Sequence, residues 1–206
     1  SNHPGPTVLI TGGLHGNEPA GARAAEQIRH WPILRGRLVV LPRANQPGLR
    51  AGTRHLPELA KSEADLNRNF PRTGADDEAL TDIGRAIWKL VRELKPDWVV
   101  DLHEGYDFNR INSKRVGSTI LSSKTPTSHE ATALMLAALN VTIEEENKKF
   151  RRRGPPIDSS LARAANEHLG IESLILETTF NDQPLSVRTQ QHRLLVNEVL
   201  DSLEMI

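Results

Sequence analysis

Short β-rich apolar runs alternate with amphipathic stretches along this chain of 206 residues. Val8-Leu9-Ile10 reads as a strand ended by Gly12-Gly13. Pro19 opens a helix, because proline is tolerated in the first turn, and Ala22, Ala25 and Ile28 recur there at helical spacing. Leu38 to Leu41 is a second strand, stopped by Pro42. Residues 43–75 are rich in Pro, Gly, Arg and Asn with little periodicity; a segment this long is functional or hides short elements. Asp76-Asp77 caps a helix running to about Leu94, with Ile83, Ile87, Leu90 and Leu94 on one stripe. Trp98-Val99-Val100 leads into Asp101-Leu102-His103 as a third strand, and Ser118 to Leu121 is a fourth. Residues 128–149 and 159–168 read as helices, Leu174-Ile175-Leu176 as a further strand, and about 186–204 as a last helix. Strands alternating with helices predict an α/β domain whose mostly parallel sheet is covered on both faces.

Composition narrows the chemistry. The 26 basic and 26 acidic residues cancel, which argues against general nucleic-acid or membrane-surface binding. Arg151-Arg152-Arg153, following Glu144-Glu145-Glu146, reads as a solvated helix end and loop. No apolar run reaches the roughly 18 residues of a membrane span. The chain has no cysteine, so any metal must sit on His, Asp or Glu. It shows no leader, so the cytoplasm is the expected compartment, with a signal peptide removed before Ser1 as the alternative. The length suits one domain over 1–206, and the oligomeric state is left open.

In open α/β sheets ligands bind beyond the carboxyl ends of the strands. Three predicted strands end in residues fit for metal or acid–base work: His15 and Glu18 after the first, His103 after the third, Glu177 after a late one. Zinc accepts imidazole nitrogen and carboxylate oxygen, and a catalytic site uses three such ligands, leaving one position open. The HxxE pair His15–Glu18, flanked by glycines, and His103 form that set. Glu177 follows a run of buried-type residues; partial desolvation raises a carboxyl's pKa towards that of a general base. Glu104 competes for that role but points to the opposite face from His103 if the strand continues. In Asp65-Leu66-Asn67-Arg68-Asn69-Phe70-Pro71, an arginine flanked by asparagines suits a substrate carboxylate, and Arg54 is a second cation in the same segment. His3, His30, His55, His129, His168 and His192 read as surface or structural residues.

The order HGNE, DLNRNFP, DLH and a strand-end Glu resembles the zinc carboxypeptidase superfamily, and within it the succinylglutamate desuccinylase/aspartoacylase group. Gly13 to Glu18 looks like that group's first metal motif, Asp65 to Pro71 resembles its substrate motif, and the likeness runs from residue 7 to about 180. The resemblance implies a three-layer α/β/α sandwich with a mixed, mostly parallel sheet. It implies zinc held by His15, Glu18 and His103, and Glu177 as the general base. Asn67 and Arg68 would hold a substrate carboxylate, and Arg54, with Arg50 as the alternative, would polarise the scissile carbonyl. Two departures stand out. The C-terminal β domain of aspartoacylases is expected to be absent, and the loop tyrosine of digestive carboxypeptidases has no counterpart in Arg153 to Ile157. Tyr106, the only tyrosine, is a candidate substrate contact instead.

The expected activity is zinc-dependent hydrolysis of an amide in a carboxylate-bearing N-acyl amino acid. The alternative substrate is a short peptide, cell-wall peptides included, cut by a carboxypeptidase or amidase. The rival from outside the enzymes is a zinc-binding or metal-free homologue that has lost activity; the filled catalytic positions argue against it.

Overall fold

The structure, a computed structural model, describes residues 1–60, 63–75 and 78–206. Among these, one sheet contains β1 (Thr7–Gly12), β2 (Arg37–Leu41), β3 (Trp98–Gly105), β4 (Thr119–Ser122), β5 (Arg151–Arg153) and β6 (Glu172–Thr179), in the order β2-β1-β3-β6-β4-β5. β2, β1, β3 and β6 run parallel; β4 is antiparallel to β6, and β5 runs parallel to β4. The helices are α1 (Pro19–Ile28), α2 (Gln46–Ala51), α3 (Asp82–Leu94), α4 (Pro126–Asn140), α5 (Leu161–Leu169) and α6 (Leu185–Ser202). This is the expected three-layer sandwich around a mixed, mostly parallel sheet.

Alternation along the strands builds two cores. Val8, Ile10, Val100 and Leu102 face α1, α4 and α6, whereas Leu9 and Val99 face α3 and α5. Every residue of β3 is buried, as expected of a parallel strand covered on both sides. Each large apolar side chain withdrawn from water contributes about 1.5–3 kcal/mol, so these two layers dominate stability. Because successive side chains alternate, Asp101 and His103 share the face of Val99, and Glu104 shares that of Leu102. The connection through α1 carries the chain from β1 to β2, and α3 returns it on the other face to β3. β2 and β3 flank β1, so a crevice opens at the carboxyl ends of β1 and β3.

Several boundaries differ from those read in the sequence. The third helix begins at Asp82, where the Thr81 hydroxyl accepts from the Gly84 amide; Asp76 and Asp77 lie outside the described residues. Its buried stripe is Gly84, Ile87, Trp88 and Val91, a step away from the predicted one. The unpatterned segment 43–75 contains α2 and a 3-10 turn, Leu66–Arg68. α4 stops at Asn140, not near 149, because the Asn140 amide pairs with both backbone groups of Phe150. The arginine run 151–153 is solvated as expected but is a sheet edge strand; its exposed charges disfavour pairing with another chain. Among the described residues, no helix is long and apolar enough to cross a membrane.

Candidate metal and catalytic site

The β1–α1 connection must turn sharply to bring His15 and Glu18 over the sheet end. Gly13 adopts a left-handed φ of 72°, which glycine tolerates. A Cβ on Gly16 would lie 2.0 Å from the carbonyl carbon of Gly48, so only glycine lets this turn dock on α2. Leu14 is fully buried beside it and anchors the turn in the second core.

His15, Glu18 and His103 meet in the crevice, all buried, with one candidate ligand atom from each lying within 4.8 Å of the other two. His15 Nδ1 is 2.8 Å from Glu18 Oε1, and His103 Nδ1 is 2.9 Å from Glu18 Oε2 and 3.1 Å from His15 Nδ1. Both imidazoles thus turn Nδ1 inward. Behind them, His15 Nε2 meets Asp65 Oδ1 at 2.9 Å and His103 Nε2 meets Asp101 Oδ2 at 2.7 Å. Carboxylates behind metal-binding histidines fix ring orientation and raise ligand basicity. Asp101 is itself held by the Thr11 hydroxyl, 2.6 Å away.

These contacts set the proton balance. Burial opposes the charged form of His15, but the Glu18 and Asp65 carboxylates outweigh it and raise its pKa. Burial likewise opposes His103, while Asp101 and Glu18 lift it well above the ordinary value. Burial alone would raise Glu18; the two imidazoles hold it well below the usual carboxylate range. Asp65 is lowered in the same way, by His15, Arg54 and Arg68 against burial.

Two buried imidazoles and one buried carboxylate, converging with supporting carboxylates behind them, fit a borderline cation such as zinc. Three facing ligand atoms that otherwise crowd one another are the feature a cation would resolve.

Glu177 stands on β6 directly opposite His103 in the ladder, on the same sheet face. Its Oε2 is shielded from solvent and has no hydrogen-bond partner among the described residues. Burial pushes its pKa up to about 7, with the positive charge of His103 acting against the rise. Arg54 Nη1 donates to Glu18 Oε1 at 2.8 Å, and Nη2 to Asp65 Oδ2 at 3.4 Å. Arg50, the alternative, is exposed on α2 and bonds Gln46. Of these two arginines, it is Arg54 that reaches the cluster.

Arg68 lies at the edge of the cluster, half-buried, with one Nη1 bond to the Asn67 carbonyl and no carboxylate ion pair among the described residues. Asn67 is buried, and its amide is used internally. Its Oδ1 accepts from Leu161 at the start of α5, and its Nδ2 lies 3.2 Å from His103 Nε2. Because His103 Nε2 donates to Asp101, the nearby Asn67 Nδ2 makes no hydrogen bond to it; Asn67 instead caps the start of α5 through Oδ1, and Arg68 stands half-buried beside it. Tyr106 is exposed, with the Arg115 guanidinium 5.8 Å from its ring centre. Glu104 points to the opposite face, as expected, and pairs with Arg188.

The supporting carboxylates Asp65 and Asp101 were not singled out by sequence reasoning. For Asp101 a signal existed: a residue two before His103 on a strand shares its face. Asp65 reaches His15 across fifty positions, and nothing local announces it.

Comparison with known proteins gives the family and the fold. The model of the succinylglutamate desuccinylase/aspartoacylase catalytic domain matches residues 4–179. The chain is 35% identical over 104 residues to the N-alpha-acetyl-L-2,4-diaminobutyric acid deacetylase of Halomonas elongata, covering 49% of this chain and 29% of that protein. The mDAP-bound structure of Csd4, a D,L-carboxypeptidase of Helicobacter pylori, is similar in fold, with a TM-score of 0.81 at 20% identity over 98% of this chain and 52% of Csd4. A succinylglutamate desuccinylase/aspartoacylase from Rhodobacter sphaeroides gives 0.67 at 22% identity over 99% of this chain and 57% of that one. The chain thus spans about half the length of these solved structures. By sequence and by fold, the chain belongs to the succinylglutamate desuccinylase/aspartoacylase catalytic-domain family.

Proposed function

We propose that this chain is a zinc-dependent hydrolase that cleaves the amide bond of an N-acyl amino acid bearing a free carboxylate. The observation that carries the reading is the convergence of His15, Glu18 and His103 with Glu177 on one face of the sheet. The family and the deacetylase relative support the substrate class.

In this reading His15, Glu18 and His103 hold the zinc. When bound, the ion supplies Lewis-acid polarisation of a carbonyl and acidifies water. Glu177 Oε2 takes a proton as water attacks the amide carbon and returns it to the leaving nitrogen. With a pKa of about 7 it is suited to both tasks near neutrality. Arg54 places positive charge where the carbonyl oxygen gains negative charge. Arg68, which makes no direct ion pair with a carboxylate among the described residues, takes the substrate carboxylate as a bidentate fork. Asn67 acts with it by holding the start of α5 in place beside the cluster.

A peptide with a free carboxylate is the second reading, because Csd4, which shares the fold, is known in a tripeptide-bound form. A hydrolysis screen of the zinc-loaded protein against N-acyl amino acids and short peptides tests both. Turnover confined to acyl amino acids supports the first, and turnover of peptides alone replaces it with the second. No turnover of either class contradicts the assignment.

A further inference from the structure

The start of α1 is capped by an indirect route. Glu18 occupies the N-cap position, whose side chain ordinarily accepts a hydrogen bond from the first free amides of the helix. Its carboxylate makes no such bond, since its oxygens are turned to His15, His103 and Arg54. The amide of Ala20 instead donates to Glu104 Oε2 on β3, 2.8 Å away. The other oxygen of Glu104 accepts from Arg188 Nη1 of α6, and Arg188 stacks on the Phe180 ring, 4.7 Å from its centre. The backbone amide of Glu104 donates to Glu18 Oε2 at 3.0 Å. Glu104 and Arg188 are both buried, on the sheet face opposite His103 and Glu177.

A buried ion pair is weak evidence for stability, because desolvation offsets most of the attraction. Its placement here is specific. The pair ties residues 103–104, which carry one candidate ligand, to residues 18–20, which carry another. A helix as short as α1 would otherwise draw its own N-cap carboxylate towards its free amides, away from the cluster.

We propose that Glu104, clamped by Arg188, is a positioning residue for the metal centre: it caps α1 in place of Glu18 and so leaves the Glu18 carboxylate for the ion. The inference rests on the reading of His15, Glu18 and His103 as metal ligands.

The test is the Zn2+ affinity of the metal-free full chain, measured by competition with a chromophoric chelator, together with the visible spectrum of the Co2+-loaded form. Glu104→Ala and Arg188→Met are expected to weaken binding about 10- to 100-fold, as for other residues that orient ligands, and to shift the Co2+ bands. Glu104→Gln keeps an acceptor for the Ala20 amide and is expected to recover part of the loss. Leu200→Ala, buried further along α6, is the control: it lowers thermal stability and leaves affinity and spectrum unchanged. Should Glu104→Ala fail to fold, Arg188→Met and Glu104→Gln carry the comparison. Losses of affinity no greater than the control's overturn the proposal alone. An unmodified protein that takes up no zinc overturns the reading of the cluster, and the proposal with it.

Discussion

At the scale of single residues, the site is a set of opposed electrostatic demands. The fold favours the charged form of His103. That contribution is complete below the ordinary value of 6.5 and is lost as pH rises through the raised folded value. Glu18 runs the other way: its contribution is present above 4.5 and is lost as pH falls through the lowered value. The metal-free cluster is therefore most stabilising between those two ordinary values. A cation needs neutral imidazoles, so binding expels protons and affinity rises with pH. Zinc titration calorimetry near pH 6.5, in two buffers of different ionisation heat, is expected to show proton release; identical heats would contradict the cluster's assignment. Asp101→Asn removes the acceptor behind His103 and is expected to weaken metal binding about 10- to 100-fold. Glu177→Gln is expected to keep the metal and lower turnover about 10²- to 10⁴-fold. In the unmodified protein, activity should fall on the acid side as Glu177 is protonated. A cation beside it favours the carboxylate, so that limb lies at or below about pH 7.

At the scale of elements, the strand ends that build the site were readable because β1, β3 and β6 are apolar runs that stop at polar residues. Their shared face followed from alternation alone, which also sent Glu104 to the other side. β5 was not readable, since three exposed arginines carry no alternation; its partner β4 decides its conformation. The start of α3 was misread because Thr81, the residue that caps it, sits among other candidate caps. The docking of the β1–α1 turn on α2 was equally hidden, as it joins two segments through bare backbone at Gly16 and Gly48. That contact gives a sharp prediction. Gly16→Ala places a methyl 2.0 Å from the Gly48 carbonyl carbon, so the turn must move and His15 and Glu18 with it. Zinc affinity is expected to drop by at least tenfold, a cost of about 1.4 kcal/mol. Unchanged affinity would show that the turn does not set the ligand positions.

At the scale of the whole molecule, the order of motifs along the chain carried the family before any coordinates did, and the sheet order explains why they converge. β2 and β3 lie on opposite sides of β1 and are reached by connections on opposite faces of the sheet, so the loops after β1 and β3 share the end of the sheet where ligands bind. Behind that crevice lies His192, fully buried and bonded to the Thr178 hydroxyl at 3.2 Å. Burial, and then the charge of His103, lower its pKa to about 3. The fold therefore favours neutral His192: that stability is present above the ordinary 6.5 and is lost as pH falls towards 3. Urea unfolding of the metal-free protein should show stability declining across that range, by up to about 1.4 kcal/mol per pH unit from this residue. His192→Gln should flatten the decline; an unaltered slope would remove His192 as its source.

The central claim joins one metal, held by His15, Glu18 and His103, to hydrolysis by Glu177. The most direct test is turnover of the N-acyl amino acid panel as zinc is added back to metal-free protein. Turnover is predicted to rise to a plateau at one zinc per chain, and to stay near background in Glu177→Gln at the same zinc content. Turnover that does not depend on zinc, or that survives in Glu177→Gln, would contradict the account.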